Sequence, residues 1–265
     1  MLIPSMQDLL EAGVHFGHQT RKWHPKMGQF IFGAKDKIHI IDLEKTVDKL
    51  SQACKFLAET SSAGGAILFV GTKRQAAEII KTEAVRCGMP YITERWIGGL
   101  LTNFDIIHKN IEKLTDLEAK RQAGEFSEFT KKERLLVDRE ISRLERYYGG
   151  LRDFSEIPAA IFIVDVKREE TACREAQRCA IPVVAICDTN ANLDLVDYPI
   201  PGNDDAVKAV TILVQNVADA IVEGRKGTKE IKEPEETPLR PFDSAQDFAG
   251  QAKKATKKTV KKEIK

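Results

Sequence analysis

Three aspartates of this sequence could together offer oxygen ligands to a cation. Asp188 follows a buried strand pattern, and Asp204 and Asp205 precede a long helical pattern. Carboxylate oxygens suit magnesium, and a nearby histidine would admit zinc. The simpler interpretation, which we favour, is that Asn203 to Asp205 cap the helix and complement its dipole, while His18 makes structural hydrogen bonds.

A second candidate is the segment Gly71-Thr72-Lys73-Arg74, where an apolar strand pattern passes directly into a helical one. The start of such a helix can hold a phosphate, aided here by Lys73 and Arg74. The segment matches neither of the glycine-rich nucleotide-binding motifs. An RNA phosphate, a plain helix start and, as an alternative function, a nucleotide-binding enzyme all remain open.

Cations and flat rings occur together in two loops of the sequence. Basic side chains contact phosphates, and tryptophan or arginine planes stack on unpaired bases. The alternative is a surface loop whose tryptophan packs into the core. The combination favours RNA, and the candidate RNA-binding residues, including the two at the helix start, are Arg21, Lys22, Trp23, Lys26, Lys35, Lys37, Lys73, Arg74, Arg95 and Trp96.

The elements that position these residues alternate between strand and helix. Continuous apolar runs at 66–70, 159–165 and 182–187 predict strands buried on both faces, with a short strand at 91–92. Helical periodicity predicts helices at 43–61, 72–87, 169–180 and 205–223, and residues 14–40 show loop and short-strand character. This order predicts an α/β fold, with a mainly parallel sheet and helices on both faces.

Residues 105–148 interrupt that alternation with two charged helical patterns. Apolar residues recur at coiled-coil spacing, Gly124 marks a turn, and Thr130 with Glu133 forms a capping box. Ten acidic and ten basic residues cover the other faces. We therefore predict a coiled-coil hairpin that projects from the sheet, which suits a protein that binds something large. A protein adaptor working through this hairpin is a further alternative.

The cysteines, the apolar runs and the polar end of the chain indicate which class of protein this is. Five cysteines without a Cys-x-x-Cys pair indicate reduced thiols in the cytoplasm. No apolar run is long enough to span a membrane, and the start of the chain lacks the pattern of a secretory signal. Residues 227–265 are polar and end with a lysine-rich segment, which predicts a disordered, basic tail.

Taken together, these motifs resemble the family of bacterial small-subunit ribosomal protein two. The similarity runs from about residue 3 to 226 and includes Arg-Trp-Ile-Gly-Gly-Leu-Leu-Thr-Asn at 95–103. Further matching segments lie at 15–18, 25–27, 30–32, 38–46, 69–73, 144–150, 188–190 and 196–206. Three positions depart from the family pattern: His24 replaces a usual asparagine, and Asn192-Leu193 replaces a common Asp-Pro.

The resemblance implies a flavodoxin-like domain formed by residues 1–104 and 149–226, with an N-terminal extension at 1–40. It implies a coiled-coil insertion at 105–148 and a tail at 227–265. It further implies binding to small-subunit ribosomal RNA between head and body, beside neighbouring ribosomal proteins, and anchoring of ribosomal protein one. No enzymatic activity, small-molecule substrate, membrane or required cofactor belongs to it. Some relatives hold a metal ion, zinc or magnesium, at positions matching His18, Asp188, Asp204 and Asp205.

Overall fold

A computed structural model describes residues 3–152 and 154–231 of the chain, and the predicted tail lies outside them from residue 232 onward. The helices are α1 Met6–Glu11, α2 Leu43–Ser62, α3 Arg74–Cys87, α4 Phe104–Gln122, α5 Lys131–Tyr148, α6 Glu170–Arg178 and α7 Val207–Ile231. The strands are β1 Phe16–Gln19, β2 Ile31–Lys35, β3 Ile38–Ile41, β4 Ile67–Val70, β5 Tyr91–Ile92, β6 Ala160–Val164, β7 Val183–Cys187 and β8 Tyr198–Pro201.

The central sheet has five parallel strands in the order β5-β4-β6-β7-β8. Counted along the chain within this sheet, the order is that of flavodoxin-like folds, with a reversal between β4 and β6. The predicted fold class is therefore confirmed. Ligands of such sheets bind outside the carboxyl ends of the strands, next to this reversal.

Two apolar layers enclose the sheet because its strands are buried on both faces. Phe69 and Phe162 point to the layer formed with α2, α3 and α7. Leu68 and Ile161 point to the opposite layer, formed with α6 and the residues around Trp96. Alternate side chains along each strand thus belong to different layers, as the pleat of a strand requires.

Strand β8 is the part of the sheet that the sequence analysis missed. It pairs in parallel with β7 although it contains Pro199 and Pro201. A proline cannot donate a hydrogen bond to a neighbouring strand, so it is tolerated at the edge of a sheet. Because β8 is an edge strand, the two prolines mark its position rather than exclude it.

The N-terminal extension folds as a separate antiparallel sheet in the order β1-β3-β2. A two-residue turn joins β2 to β3, and its central residues, Asp36 and Lys37, have φ angles of 51° and 65°. Positive φ at both positions defines the turn type that matches the twist of paired strands. Neither residue is glycine, so the turn carries backbone strain.

Helices α4 and α5 form a helical hairpin and pack on each other through Leu114, Ile141 and Leu144. A capping box of Thr130 and Glu133 opens α5, as predicted. Ile107 and Ile111, near the start of α4, belong instead to the apolar layer of the sheet. The base of the hairpin is therefore part of the domain core, and coiled-coil geometry along the hairpin stays a prediction.

Helix α7 differs in length from its prediction, because it continues to Ile231 rather than ending near residue 223. Its helical turns therefore run past the predicted domain boundary at residue 226. Within the described part of the chain, no helix is both long and apolar enough to cross a membrane.

The five cysteines are free, and four of them are buried. Burial raises the pKa of the Cys54 thiol to about 12 and that of the Cys87 thiol to about 11. Thiols of this kind stay protonated and unreactive near neutral pH. They serve as small apolar side chains.

Candidate functional site

The carboxyl ends of β4, β6 and β7 bring the candidate residues of three separate loops to one edge of the sheet. Lys73 follows β4, Asp165 follows β6 and Asp188 follows β7. Asp204 and Asp205 reach the same place from the loop between β8 and α7, and β1 supplies His18. This edge is where ligands of flavodoxin-like sheets bind.

His18, Asp188, Asp204 and Asp205, which we call the acidic cluster, come together as the metal hypothesis requires. One potential ligand atom from each lies within 4.8 Å of the others. Asp188 and Asp204 are almost fully buried, whereas Asp205 is 56% exposed. The cluster therefore opens to solvent on the side of Asp205.

Backbone contacts fix His18 at the edge of the sheet. Its amide donates to Thr189 Oγ1 at 3.0 Å. A Cβ on the preceding Gly17 would lie only 2.6 Å from Thr189 Cγ2, so glycine is required for this close approach. The position of the imidazole thus depends on a contact between residues 171 apart in the sequence.

The side chain of Asn203 has a different role from those of Asp204 and Asp205. The Asn203 Oδ1 atom accepts hydrogen bonds from the amides of Asp205 and Ala206, at 2.8 and 3.2 Å. Asn203 therefore closes the turn ahead of α7, which begins at Val207, and its role as the cap of that helix stays a prediction. The Asp204 and Asp205 carboxylates face the cluster instead, so the capping interpretation does not extend to them.

Lys73 lies among carboxylates rather than at the surface. Its ammonium is 2.6 Å from both Asp204 Oδ1 and Asp205 Oδ1, and 3.5 Å from Asp165 Oδ2. Burial opposes its charge, but the bonds to Asp204 and Asp205 outweigh burial and raise the pKa of Lys73. The side chain is 12% exposed, so the predicted phosphate contact is not available to it in this arrangement.

The charges of the cluster shift the pKa values of two of its members. Burial, with the neighbouring charges of Asp165 and Asp188, raises the pKa of Asp204 to about 7 despite its bond to Lys73. The Asp188 carboxylate raises the pKa of His18, against the effect of burial. A further cation would stabilise the ionised carboxylates.

The donor set fits a divalent ion. His18 Nδ1 lies 2.9 Å from Asp188 Oδ2, yet this buried nitrogen has no hydrogen bond of acceptable geometry. An imidazole nitrogen with three carboxylates is a ligand set that zinc accepts, and the carboxylates alone suit magnesium. Lys73 shares two of these carboxylates and would remain beside the ion.

The same edge is a poor match for a nucleotide. Thr72 donates to the buried Glu169 carboxylate, and Arg168 Nε donates to Thr72 Oγ1 at 2.8 Å. The loop after β4 is thus filled by internal side chains. Asp165, Glu169 and Asp204 would repel a phosphate at this point. Of the two predicted cations here, only Arg74 is exposed.

Four of the predicted RNA-binding cations gather at one end of the three-stranded sheet: Arg21, Lys22, Lys35 and Lys37, which we call the basic tip. All four are exposed. A backbone hydrogen bond from Thr20 to Lys37, 2.9 Å long, joins the loop of Arg21 and Lys22 to the turn of Lys35 and Lys37. Nearby, Trp23 is 44% exposed, and Lys26 is paired with Asp194.

Arg95 and Trp96, the second pair of cation and ring, differ in exposure. Arg95 is exposed, but Trp96 is only 8% exposed and donates from Nε1 to Glu175. Trp96 therefore packs into the core, which was the alternative to a role in base stacking. The sequence analysis also missed Glu175, whose signal was its position on the apolar face of α6 beside Ala172 and Ala176.

Exposed aromatic residues on the three-stranded sheet were also missed. Phe32 is 81% exposed, and Phe16 and Ile38 are 47% and 37% exposed. We call the two phenylalanines, which lie on the outer strands β1 and β2 of this sheet, the aromatic patch. The signal was present in Phe30-Ile31-Phe32, where alternation along a strand turns Ile31 and Phe32 to opposite faces.

His24 and Asn192, which depart from the resembled family's pattern, each make a local hydrogen bond. His24 Nδ1 accepts from the Lys26 amide at 3.3 Å, at the start of the short helical turn Pro25–Phe30. Asn192 Oδ1 accepts from the Asp194 amide at 3.1 Å in the same way. Each side chain therefore caps its own turn.

Comparison with known proteins gives a consistent result. The family model described as Ribosomal protein S2 matches residues 9–224. A Nocardia farcinica protein named small ribosomal subunit protein uS2 is 51% identical over 224 residues, covering 84% of this chain and 79% of the relative. The protein of the same name from Coprothermobacter proteolyticus is 51% identical over 231 residues, covering 87% and 86%. That of Mycobacteroides abscessus is 48% identical over 238 residues, covering 90% and 86%.

Proposed function

The chain belongs to the ribosomal protein S2 family, and on that premise we propose that it binds small-subunit ribosomal RNA between head and body and helps to anchor ribosomal protein one. Its relatives are named as proteins of the small ribosomal subunit. The chain is accordingly a ribosomal protein that acts in translation, and not an enzyme. Its site of action is the ribosome, in the cytoplasm.

The basic tip is the observation that carries the proposal of RNA binding. Its four exposed cations lie on a loop and a turn that are joined by a backbone hydrogen bond. Cations held in a fixed arrangement neutralise phosphates and set the register of the bound RNA. Trp23, beside them, offers a partly exposed ring on which an unpaired base can stack.

Co-sedimentation with small subunits lacking this protein tests the RNA contact. The variant R21Q/K22Q/K35Q/K37Q removes the basic tip, and K55Q/K81Q/R178Q/K208Q removes four exposed cations from helices elsewhere. We expect the tip variant to dissociate at lower salt than the control, because each lost phosphate contact weakens binding. Equal salt resistance of the two variants would contradict the assignment.

The aromatic patch supports the proposal that the chain helps to anchor another protein. Two exposed phenylalanines lie on this small sheet, and aromatic side chains contribute strongly to the energy of protein interfaces. Phe32 at 81% exposure buries little surface within its own domain. We therefore assign the patch to ribosomal protein one or a neighbouring protein of the subunit.

The acidic cluster supports a further part of the proposal, a bound zinc or magnesium ion. His18, Asp188, Asp204 and Asp205 would hold it. The ion would supply positive charge to buried carboxylates and so fix β1 to the loops after β7 and β8. It would act on structure, and the proposed RNA binding does not require it as a cofactor.

A further inference from the structure

Lys73 lies between three carboxylates that belong to two other loops of the sheet edge. Its ammonium is 2.6 Å from Asp204 Oδ1, 2.6 Å from Asp205 Oδ1 and 3.5 Å from Asp165 Oδ2. The lysine follows β4, whereas Asp165 follows β6 and the other two aspartates precede α7. A single positive charge therefore joins three separate loops.

Asp165 contacts the ammonium without belonging to the acidic cluster. It is not one of the four residues whose potential ligand atoms gather there. Its Oδ1 accepts from the Arg168 amide at 3.1 Å, and its Oδ2 is the atom nearest to Lys73. The Asp165 side chain is only 14% exposed, so its charge needs a partner inside the protein.

Two neighbouring positions for a cation therefore share the carboxylates of Asp204 and Asp205. The first position is the acidic cluster. The second is bounded by Asp165 as well, and it already holds a cation, the Lys73 ammonium. Neighbouring cation positions of this kind occur in protein sites for two metal ions.

The charges of the two positions account for one ammonium and one divalent ion. Their four carboxylates carry four negative charges when they are ionised. Lys73 with one divalent ion supplies three positive charges, and two divalent ions would supply four. Asp188 and Asp204 are each 1% exposed, so nearby cations must replace the water that would otherwise solvate them.

We infer that the Lys73 ammonium occupies a second metal position and limits the chain to one divalent ion, an inference that rests on the ion of the proposed function. With Lys73 in place, the loops after β4, β6 and β8 are joined without any metal. Lysine carries a single charge on a flexible stem, so removal of its side chain vacates a space lined by three carboxylates. Oxygen ligands suit magnesium, and zinc also accepts them.

Titration calorimetry of the full chain, with zinc alone and with magnesium alone, tests this inference through the number of ions bound. For the metal that the wild type binds, we expect one ion in the wild type and two in K73A. K73R keeps the positive charge and should bind one ion. The control R74A removes the exposed cation of the next residue and should also bind one ion.

A second substitution identifies the place of the added ion. Asp165 contacts Lys73 but lies outside the acidic cluster. The double variant K73A/D165N should therefore return to one ion, because it loses a ligand of the second position alone. A second ion that persists in this variant lies elsewhere and overturns the inference.

Thermal unfolding gives a further readout. Without metal, K73A should melt below the wild type, because its buried carboxylates lose their cation. Metal should raise the melting temperature of K73A more than that of the wild type, because two ions then bind the folded state. A K73A chain that stays unfolded in millimolar metal contradicts the inference, since an ion should replace the ammonium.

The outcomes separate the inference from the proposed ion. If K73A binds one ion, as the wild type does, the inference fails and the proposed ion stands. If the wild type binds none and K73A binds one, the proposed ion fails, while the role of Lys73 as the resident cation stands. If neither chain binds an ion, both fail.

Discussion

The indole Nε1 of Trp96 donates a hydrogen bond to the buried carboxylate of Glu175 at 3.1 Å. The same carboxylate accepts from the amides of Gly99 and Leu101, at 2.8 and 3.3 Å. One side chain of α6 thus holds the loop that leads into the hairpin. The direction in which the hairpin leaves the sheet depends on this contact.

Replacing Glu175 with alanine should therefore destabilise the domain. Its buried donors would lose their partner, at a cost of about 3 kcal/mol in the free energy of unfolding. Urea unfolding followed by fluorescence measures the loss. The control is Glu170→Ala on the same helix, which removes only an exposed pair with Arg174. Similar midpoints for the two variants would show that Glu175 is not the anchor.

Glycine at position 37 should stabilise the chain while weakening its binding to RNA. Lys37 adopts a φ of 65°, a conformation that costs a residue with a Cβ roughly 1 kcal/mol. Lys37→Gly relieves that strain and also removes a cation of the basic tip. Lys35→Gly removes a neighbouring cation without such relief, so it should lower stability. Thermal unfolding together with co-sedimentation distinguishes the two effects, and a destabilised Lys37→Gly variant would contradict the prediction.

Substitution of Gly17 by alanine should destabilise the protein, and a second substitution at Thr189 should restore the lost stability. The added Cβ would meet Thr189 Cγ2 at 2.6 Å, which we expect to cost about 1 to 3 kcal/mol. Thr189→Ser deletes that methyl group but keeps the hydroxyl that accepts from the His18 amide. The double variant should recover most of the lost stability in urea unfolding. Failure of serine to rescue alanine would mean that the contact does not limit this position.

If the acidic cluster binds a metal ion, the ion should stabilise the folded protein. An ion present at 100 times its dissociation constant adds about 2.7 kcal/mol to the free energy of unfolding. Asp188→Asn should abolish the shift in melting temperature caused by zinc or magnesium, whereas the exposed Asp194→Asn should keep it. The idea fails if neither metal, at millimolar concentration, stabilises the wild-type protein.

Phe32→Ser should leave stability nearly unchanged, since the side chain is 81% exposed, but should reduce retention of ribosomal protein one on reconstituted subunits. Val85→Ser is a suitable control, because Val85 is 63% exposed on α3. Quantitative mass spectrometry of the subunits provides the measurement. Equal retention in both variants would remove the aromatic patch from the anchoring surface.

Local signals explain which elements the sequence could predict. The continuous apolar run before Gly71 and the capping box at Thr130 each act through neighbouring residues, so β4 and the start of α5 follow from short segments. Strand β8 was hidden because Pro199 and Pro201 oppose strand formation except at an edge, and edge position is a property of the whole sheet. Trp96 was misassigned because its buried indole donates to Glu175, which lies 79 residues away in the sequence and forms no local pattern with it.

In the candidate site, too, some features follow from local sequence and others depend on the whole fold. Asp204 and Asp205 were visible as carboxylates from their place before α7. Their approach to His18 arises only when β1 docks against the end of β7, which no local pattern encodes. The inward position of Lys73 is not local either, because its carboxylate partners Asp165 and Asp204 come from the loops after β6 and β8.

The docking of β1 also has a consequence for the synthesis of this chain. His18 is held by Thr189, and the amide of Asn203 donates to the carbonyl of Val14. At about 5 to 20 residues per second, the partner of His18 is translated roughly 10 to 30 seconds after it. We expect the first segment to emerge from the ribosome to be among the last to reach its native position. A nascent chain stopped before residue 188 should accordingly expose residues 14–24 to protease.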